Sequence, residues 1–278
     1  MLGTLASFCL MAVGARELSG AVSTFQVLFF RSVIGLFVVS VVILSLGNFT
    51  LFSSRRMKLH STRNIFHFAG QYGWFVGIGL LPLAEVFALE FTVPLWTLLI
   101  ACLFLNEALT KRKLLSIVMG ILGVIIIVQP GVEVMNIASL IVLGAAVAYA
   151  VSHASTKSLA STEHPLTILF YMCAIQLPIG FSFAIFDWQF PNQTQWLWIV
   201  VIGLTAMSAH YCMTKAMQFA EVSTVVTMDF LRLPLIAVVG VLLYSEPFEL
   251  SLLIGAALML AGNLIGLYKG RAVKVTQS

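Results

Sequence analysis

Charge is scarce in this sequence: only 9% of its 278 residues are Asp, Glu, Lys or Arg, against about 25% in soluble globular domains. So few charges cannot furnish a water-facing surface. Cysteine is equally sparse, with Cys9, Cys102, Cys173 and Cys212 each isolated in an apolar run. That spacing excludes a Cys-x-x-Cys metal or redox motif and leaves packing as the expected role. There is no HExxH pair, clustered acidic motif or nucleotide-binding motif. The basic residues are scattered in short segments rather than gathered into a stripe, so no nucleic-acid partner is expected. The chain begins apolar without a basic leader region, so no cleaved signal peptide is expected, although its first run, residues 2–18, is short for a span.

What the sequence does have is apolar length. Sixty per cent of residues are hydrophobic and the mean hydropathy is +1.03. Apolar runs cover residues 2–18, 24–46, 64–83, 85–105, 114–130, 135–157, 165–186, 195–217, 222–244 and 251–268, separated by Gly47-Asn48, Pro82, Pro130-Gly131, Pro165, Pro191-Asn192 and Pro247. At about 20 residues per span this is ten transmembrane helices with no room for a soluble domain. Continuous apolar runs lack the two-residue alternation of a membrane barrel, and hydrocarbon leaves the helix as the spanning element.

The positive-inside rule orients the chain. With a cytoplasmic N-terminus, twelve of the fifteen Lys and Arg residues fall inside: Arg55, Arg56, Lys58, Arg63, Lys111, Arg112, Lys113, Lys157, Lys215, Lys269, Arg271 and Lys274. Arg16 alone falls outside, and Arg31 and Arg232 lie within spans. Ten spans with both termini cytoplasmic keep that split; one more or fewer would spoil it.

The two halves resemble each other. Runs four and nine end in Leu-Asn-Glu107-Ala-Leu and Tyr-Ser-Glu246-Pro-Phe, each followed sixteen residues later by a helix glycine, Gly123 or Gly262. Ala84-Glu85-Val86 and Ala220-Glu221-Val222 precede the same two runs, with a three-residue shift between the two anchors. Five helices per half is odd, so the second half enters the membrane from the opposite side. The loops agree: Thr-Lys-Arg-Lys follows the Glu107 segment, whereas no base follows Glu246 until after the last helix. The expected fold is therefore an all-α membrane protein of two inverted five-helix repeats, residues 1–132 and 133–278.

These paired repeats, together with Phe29-Phe30-Arg31-Ser32, Leu81-Pro82-Leu83-Ala84-Glu85, Pro94, Glu107 and Glu246, resemble the EamA branch of the drug/metabolite transporter superfamily over nearly the whole chain. The resemblance implies a multi-pass carrier of the bacterial inner membrane that works by alternating access. It does not imply a substrate, since the family moves many metabolites and drugs.

Ionisable residues inside a bilayer are expensive and mark function by default. Arg31, Glu90, Asp229 and Arg232 are of this kind, and Glu90 and Asp229 correspond in the repeat, each seventeen residues before Glu107 or Glu246. Arg31 is expected in a structural role, snorkelling or pairing with Glu17 or Glu90. Glu90 is expected to line a cavity, while Asp229 and Arg232 fit either a site for both charges of a zwitterion or a structural ion pair. His67, Gln71 and Trp74 form one helical stripe, Tyr149, His153 and Thr156 a second, and His210 with Thr214 a third. Such stripes suit a cavity lining or, equally, bonds between helices. Tyr72 and Phe87 are placed near the same cavity. Glu107 and Glu246, at helix ends, are expected to be structural or gating residues.

The expected function is secondary transport of a small solute, with an amphipathic or zwitterionic metabolite such as an amino acid derivative or an aromatic cofactor favoured and protons as a candidate coupling ion. A passive channel or a non-transporting accessory subunit is the alternative. A membrane enzyme using His67, His153 and His210 as ligands or acid/base groups is the weaker third reading. No cofactor or metal is expected. Gly73 with Gly77, and Gly262 with Gly266, permit close helix approach, and a homodimer through the latter pair stays open.

Overall fold

The computed structural model describes residues 1–104, 110–128, 137–220, 222, 225, 228–229, 232–247 and 249–267. Glu107 and Glu221, expected as repeat markers, and Lys269, Arg271 and Lys274, counted for orientation, lie outside them. The described residues form helices and short 3-10 turns without a strand. The helices are α1 (Leu2–Leu18), α2 (Thr24–Ser45), α3 (Met57–Leu80), α4 (Leu83–Glu90), α5 (Val93–Phe104), α6 (Lys111–Val128), α7 (Ile137–Ala160), α8 (Pro165–Ala184), α9 (Gln193–Phe219), α10 (Arg232–Tyr244) and α11 (Leu250–Leu267). Four stretches are individually long and apolar enough to cross a membrane: α2, α7, α9, and α8 with the 3-10 turn that follows it. α6, α10 and α11 are shorter apolar helices. Counting α4 and α5 as one interrupted span, the helices fit a set of ten.

Local chemistry sets the helix limits. Ser23 caps α2 by accepting from Gln26 N at 3.3 Å, and Asn192 and Gln195 form a reciprocal box at the start of α9 with bonds of 2.8 and 2.9 Å. α8 opens on a His164 cap with Pro165 in its first turn, where the missing N–H costs nothing. Two expectations are corrected. The third helix starts at Met57 rather than residue 64, and the fourth run is broken between Glu90 and Val93. Pro94 accounts for the break: its nitrogen carries no hydrogen to donate to the Glu90 carbonyl, and it disfavours helical geometry at Val93. Side-chain bonds brace the break, with Thr92 Oγ1 donating to Leu89 O at 2.8 Å and Trp96 Nε1 donating to Thr92 Oγ1 at 2.9 Å.

The helices pack chiefly in the pairs α6 with α11, α3 with α7, α2 with α8 and α1 with α9, followed by α2 with α9, α5 with α7 and α4 with α10. Small residues set the closest approaches. A Cβ on Gly77 would lie 2.3 Å from Val142 Cγ2 of α7, and one on Gly123 would lie 2.3 Å from Met259 Cγ and 2.8 Å from the Gly255 carbonyl of α11. Gly262 likewise faces Met119 and Ser116 of α6 within the same chain. Polarity is turned inside out relative to a soluble protein: Phe37, Leu44 and Leu242 are exposed, while Asn64, His67, Gln71 and Gln176 are buried. Apolar solvent outside and a polar centre are what a bilayer selects.

Candidate functional site

The break after Glu90 aims a carboxylate into the bundle. Its Oε2 accepts from Trp74 Nε1 of α3 at 2.8 Å, and its Oε1 accepts from Arg232 Nη2 at 3.1 Å. Arg232 is the first residue of α10 and also pairs with Asp229, three residues earlier, in a 3-10 turn. One guanidinium is therefore shared by two carboxyl groups. Its flat face lies near three aromatic rings, with the guanidinium carbon 4.5 Å from the Phe8 centroid, 5.1 Å from Phe87 and 5.7 Å from Phe91. Such contacts hold a cation without neutralising it. Asp229 Oδ1 and Arg232 Nε remain buried without a partner among the described residues.

These groups face a narrow cavity of about 20 Å³, room for little more than a water molecule as the side chains stand, lined by Phe8, Met11, Gln71, Trp74, Glu90, Tyr149, His153, His210, Met213, Asp229 and Arg232. All but one of the residues expected at a site thus surround one space. The exception is His67, which lies a layer behind, 4.7 Å edge-on from the His210 ring and 2.8 Å from Gln176 Nε2 through Nδ1. Phe87 is buried beside Arg232, whereas Tyr72 points elsewhere and stacks on Phe25 at 4.4 Å. Phe8, Met11 and Met213 were not anticipated. Apolar residues on apolar helices carry no distinguishing signal.

Two arginines depart from expectation. Arg31 neither snorkels nor meets Glu17 or Glu90; it is 1% exposed and donates to Gln176 Oε1 at 3.3 Å. With its amide turned so that the oxygen faces Arg31, Gln71 accepts from that guanidinium and donates to Gln176 Oε1 at 2.9 Å. Arg63, counted among loop bases, is also 1% exposed, with Nε donating to Thr156 Oγ1 at 3.1 Å and Nη1 to Asn64 Oδ1 at 2.6 Å. The signal was available: residues 63, 67, 71 and 74 share one face of α3.

The two ends of the bundle are tied separately. At the end where α1 and α3 finish, Arg16 pairs with Glu246 and donates to the carbonyls of Ile78 and Leu81, Glu246 accepts from Leu83 N at 2.9 Å, and Tyr244 donates to Glu17 at 2.9 Å. At the other end Glu163 meets His60 at 2.7 Å and Ser54 at 2.5 Å, Arg56 bonds Ser158 and Thr162, and Lys157 donates to Met217 O and Ala220 O. Among the described residues no three His, Cys, Asp or Glu converge on a metal position.

Apolar helices around a buried polar cavity, interrupted where the charges sit, define a polytopic membrane transporter. The chain belongs to the EamA-like transporter family, whose model matches residues 1–129 and 136–268. It is a transporter and not an enzyme. Similar proteins include the S-adenosylmethionine uptake transporter of Rickettsia bellii, 24% identical with 92% of this chain and 88% of that one covered. A riboflavin transporter of Brucella anthropi is 30% identical over 74% of this chain and 75% of its own length. A pseudopaline exporter of Pseudomonas aeruginosa is 23% identical over 94% and 93%. A protein of known crystal structure, 19% identical, superposes with a TM-score of 0.69 over 95% of this chain and 94% of its own, and so shares the fold.

Proposed function

We propose that this chain is a secondary transporter of the bacterial inner membrane that carries a small metabolite with a cationic or zwitterionic head by alternating access. The observation that carries the reading is Arg232 held between Glu90 and Asp229 against aromatic rings in an enclosed cavity. Two carboxyl groups to one guanidinium leave capacity for a second positive centre, or a proton, which the rings of Phe8, Trp74 and Tyr149 can flank. An S-adenosylmethionine uptake transporter among the relatives fits that polarity, and riboflavin transporters fit the aromatic lining.

The packing pairs support an inverted repeat. A two-fold operation relating the first five spans to the last five exchanges the α1–α9 pair with the α7–α3 pair and leaves α2–α8, α4–α10 and α6–α11 in place. Bases crowd the end carrying Arg55, Arg56, Lys58, Lys157 and Lys215, which supports assigning it to the cytoplasm. With both ends tied, the arrangement corresponds to an occluded intermediate between inward- and outward-open forms.

Uptake of labelled S-adenosylmethionine and riboflavin into proteoliposomes tests the reading. Saturable flux is expected for one of them, lost at least tenfold in Glu90→Gln or Asp229→Asn, since a buried charge-assisted bond contributes about 1.5–3 kcal/mol. Unsaturable flux indifferent to both substitutions would instead establish a passive pore.

A further inference from the structure

We propose that Arg31 and Arg63, with Gln71, Asn64, Gln176 and His67, form an anion subsite that receives the carboxylate of the transported solute, one layer along α3 from the Glu90 cavity. The proposal rests on the transport reading above for its occupant, but not for its geometry.

The two arginines differ from Arg232 in what surrounds them. Arg232 has two carboxyl partners. Among the described residues, Arg31 bonds the amides of Gln71 and Gln176, and Arg63 the Thr156 hydroxyl and the Asn64 amide. The two guanidiniums are joined through neutral side chains, since Gln176 touches both Arg31 and, at 3.4 Å, Asn64 Oδ1. Both arginines are 1% exposed, and no carboxylate pairs with either among the described residues. Two like charges held in a dry interior by neutral partners carry a desolvation cost that only a counter-anion offsets fully.

Donors are also left over. Arg31 Nε and His67 Nε2 are buried without partners among the described residues. The His67 tautomer follows from its neighbours: Gln176 uses its oxygen for Arg31 and Gln71, so its amide nitrogen faces His67 Nδ1 at 2.8 Å. Nδ1 therefore accepts, and the proton sits on Nε2 as a free donor. An unpaired guanidinium N–H and an unpaired imidazole N–H beside a second guanidinium are the groups that bind a planar, two-oxygen anion.

The cluster also borders the solute cavity. Gln71 contacts Arg31 and lines that cavity, and His210, another lining residue, lies edge-on to His67 at 4.7 Å. A rotamer change at Gln71 would uncover Arg31 to that cavity. A solute with a positive centre at Glu90 and Asp229 and a carboxylate at Arg31 and Arg63 would then lie along α3 with both charges met. The same donors could instead hold a free inorganic anion such as chloride, and the test separates the two.

The experiment is thermal unfolding of the purified full chain in detergent as sodium chloride is replaced by sodium acetate at constant ionic strength. A saturable rise of about 3 °C is expected in acetate. The rise should vanish in Arg63→Gln and Arg31→Gln and survive in part in Arg63→Lys, while Lys215→Gln, which removes an exposed base outside both clusters, keeps it in full. An unchanged or falling midpoint in the wild type would overturn the carboxylate assignment, with a fall pointing to chloride. Retention of the full response in a folded Arg63→Gln protein would overturn the site. The wild-type titration decides the matter if the variants do not fold. Absence of flux for both proteoliposome substrates would count against the transport reading alone, because the acetate response does not depend on it.

Discussion

The two ends of the helical bundle are closed by different chemistry. Where α1, α3 and α10 finish, one largely buried pair, Arg16 with Glu246, gathers three loose backbone groups: two carbonyls at the end of α3 and the first amide of α4. At the opposite end the same task is divided among Glu163, Arg56 and Lys157, whose bonds are separate and in several cases exposed. A single buried latch opens all at once, because removing either partner strands the other. A distributed one opens by degrees, since exposed ion pairs and hydrogen bonds contribute little individually. Under the alternating-access reading proposed above, the difference predicts one steep and one graded gate.

The sharpest way to break that contrast is Arg16→Gln. Loss of one partner of a half-buried pair should favour opening by about 2 kcal/mol, or roughly thirtyfold. Hydrogen exchange in residues 81–86 should accelerate by that factor while residues 56–64 stay unchanged. Acceleration spread evenly over both ends would remove the distinction. Glu163→Gln is expected to do less, about threefold to tenfold in the exchange of residues 56–64, because Arg56 and Lys157 still hold their carbonyls. An effect there as large as that of Arg16→Gln would mean that the second end also depends on one group.

The smallest effect concerns His164, which caps α8 by accepting from Leu166 N at 3.2 Å through Nδ1. Partial burial, and then Lys215, hold its pKa below the usual 6.5. The folded chain therefore favours the neutral ring, and the cap's contribution is complete above pH 6.5 and lost as the pH falls toward the lowered value. Exchange of the Leu166 amide, corrected for intrinsic chemistry, should rise about twofold between pH 7.5 and 5.5, and His164→Asn should flatten that rise by supplying a cap that does not titrate. An unchanged slope in that variant would place the titrating group elsewhere.

Hydropathy marked every helix run, and the run boundaries differ from the described helices by a few residues at most points. The break after Glu90 went unread although Pro94 stood four residues on; a hydropathy window averages over a missing backbone donor. Arg63 was read as a loop base because it precedes the apolar run, yet its spacing from His67, Gln71 and Trp74 puts it on the buried face. The Asp229–Arg232 pair was legible at three residues' separation, while its sharing with Glu90, 142 positions away, was not.

By itself the sequence determined that this chain lives in a bilayer as a helical bundle and which residues would be costly there, because the transfer cost of a side chain and the periodicity of a helix are local properties. Only the tertiary structure decided which charges neutralise one another: Arg232 received two carboxyl groups, and Arg31 and Arg63 received none among the described residues. Pairing depends on which helix faces meet, and small residues such as Gly77 and Gly123 that let those faces close act across the whole length of the chain.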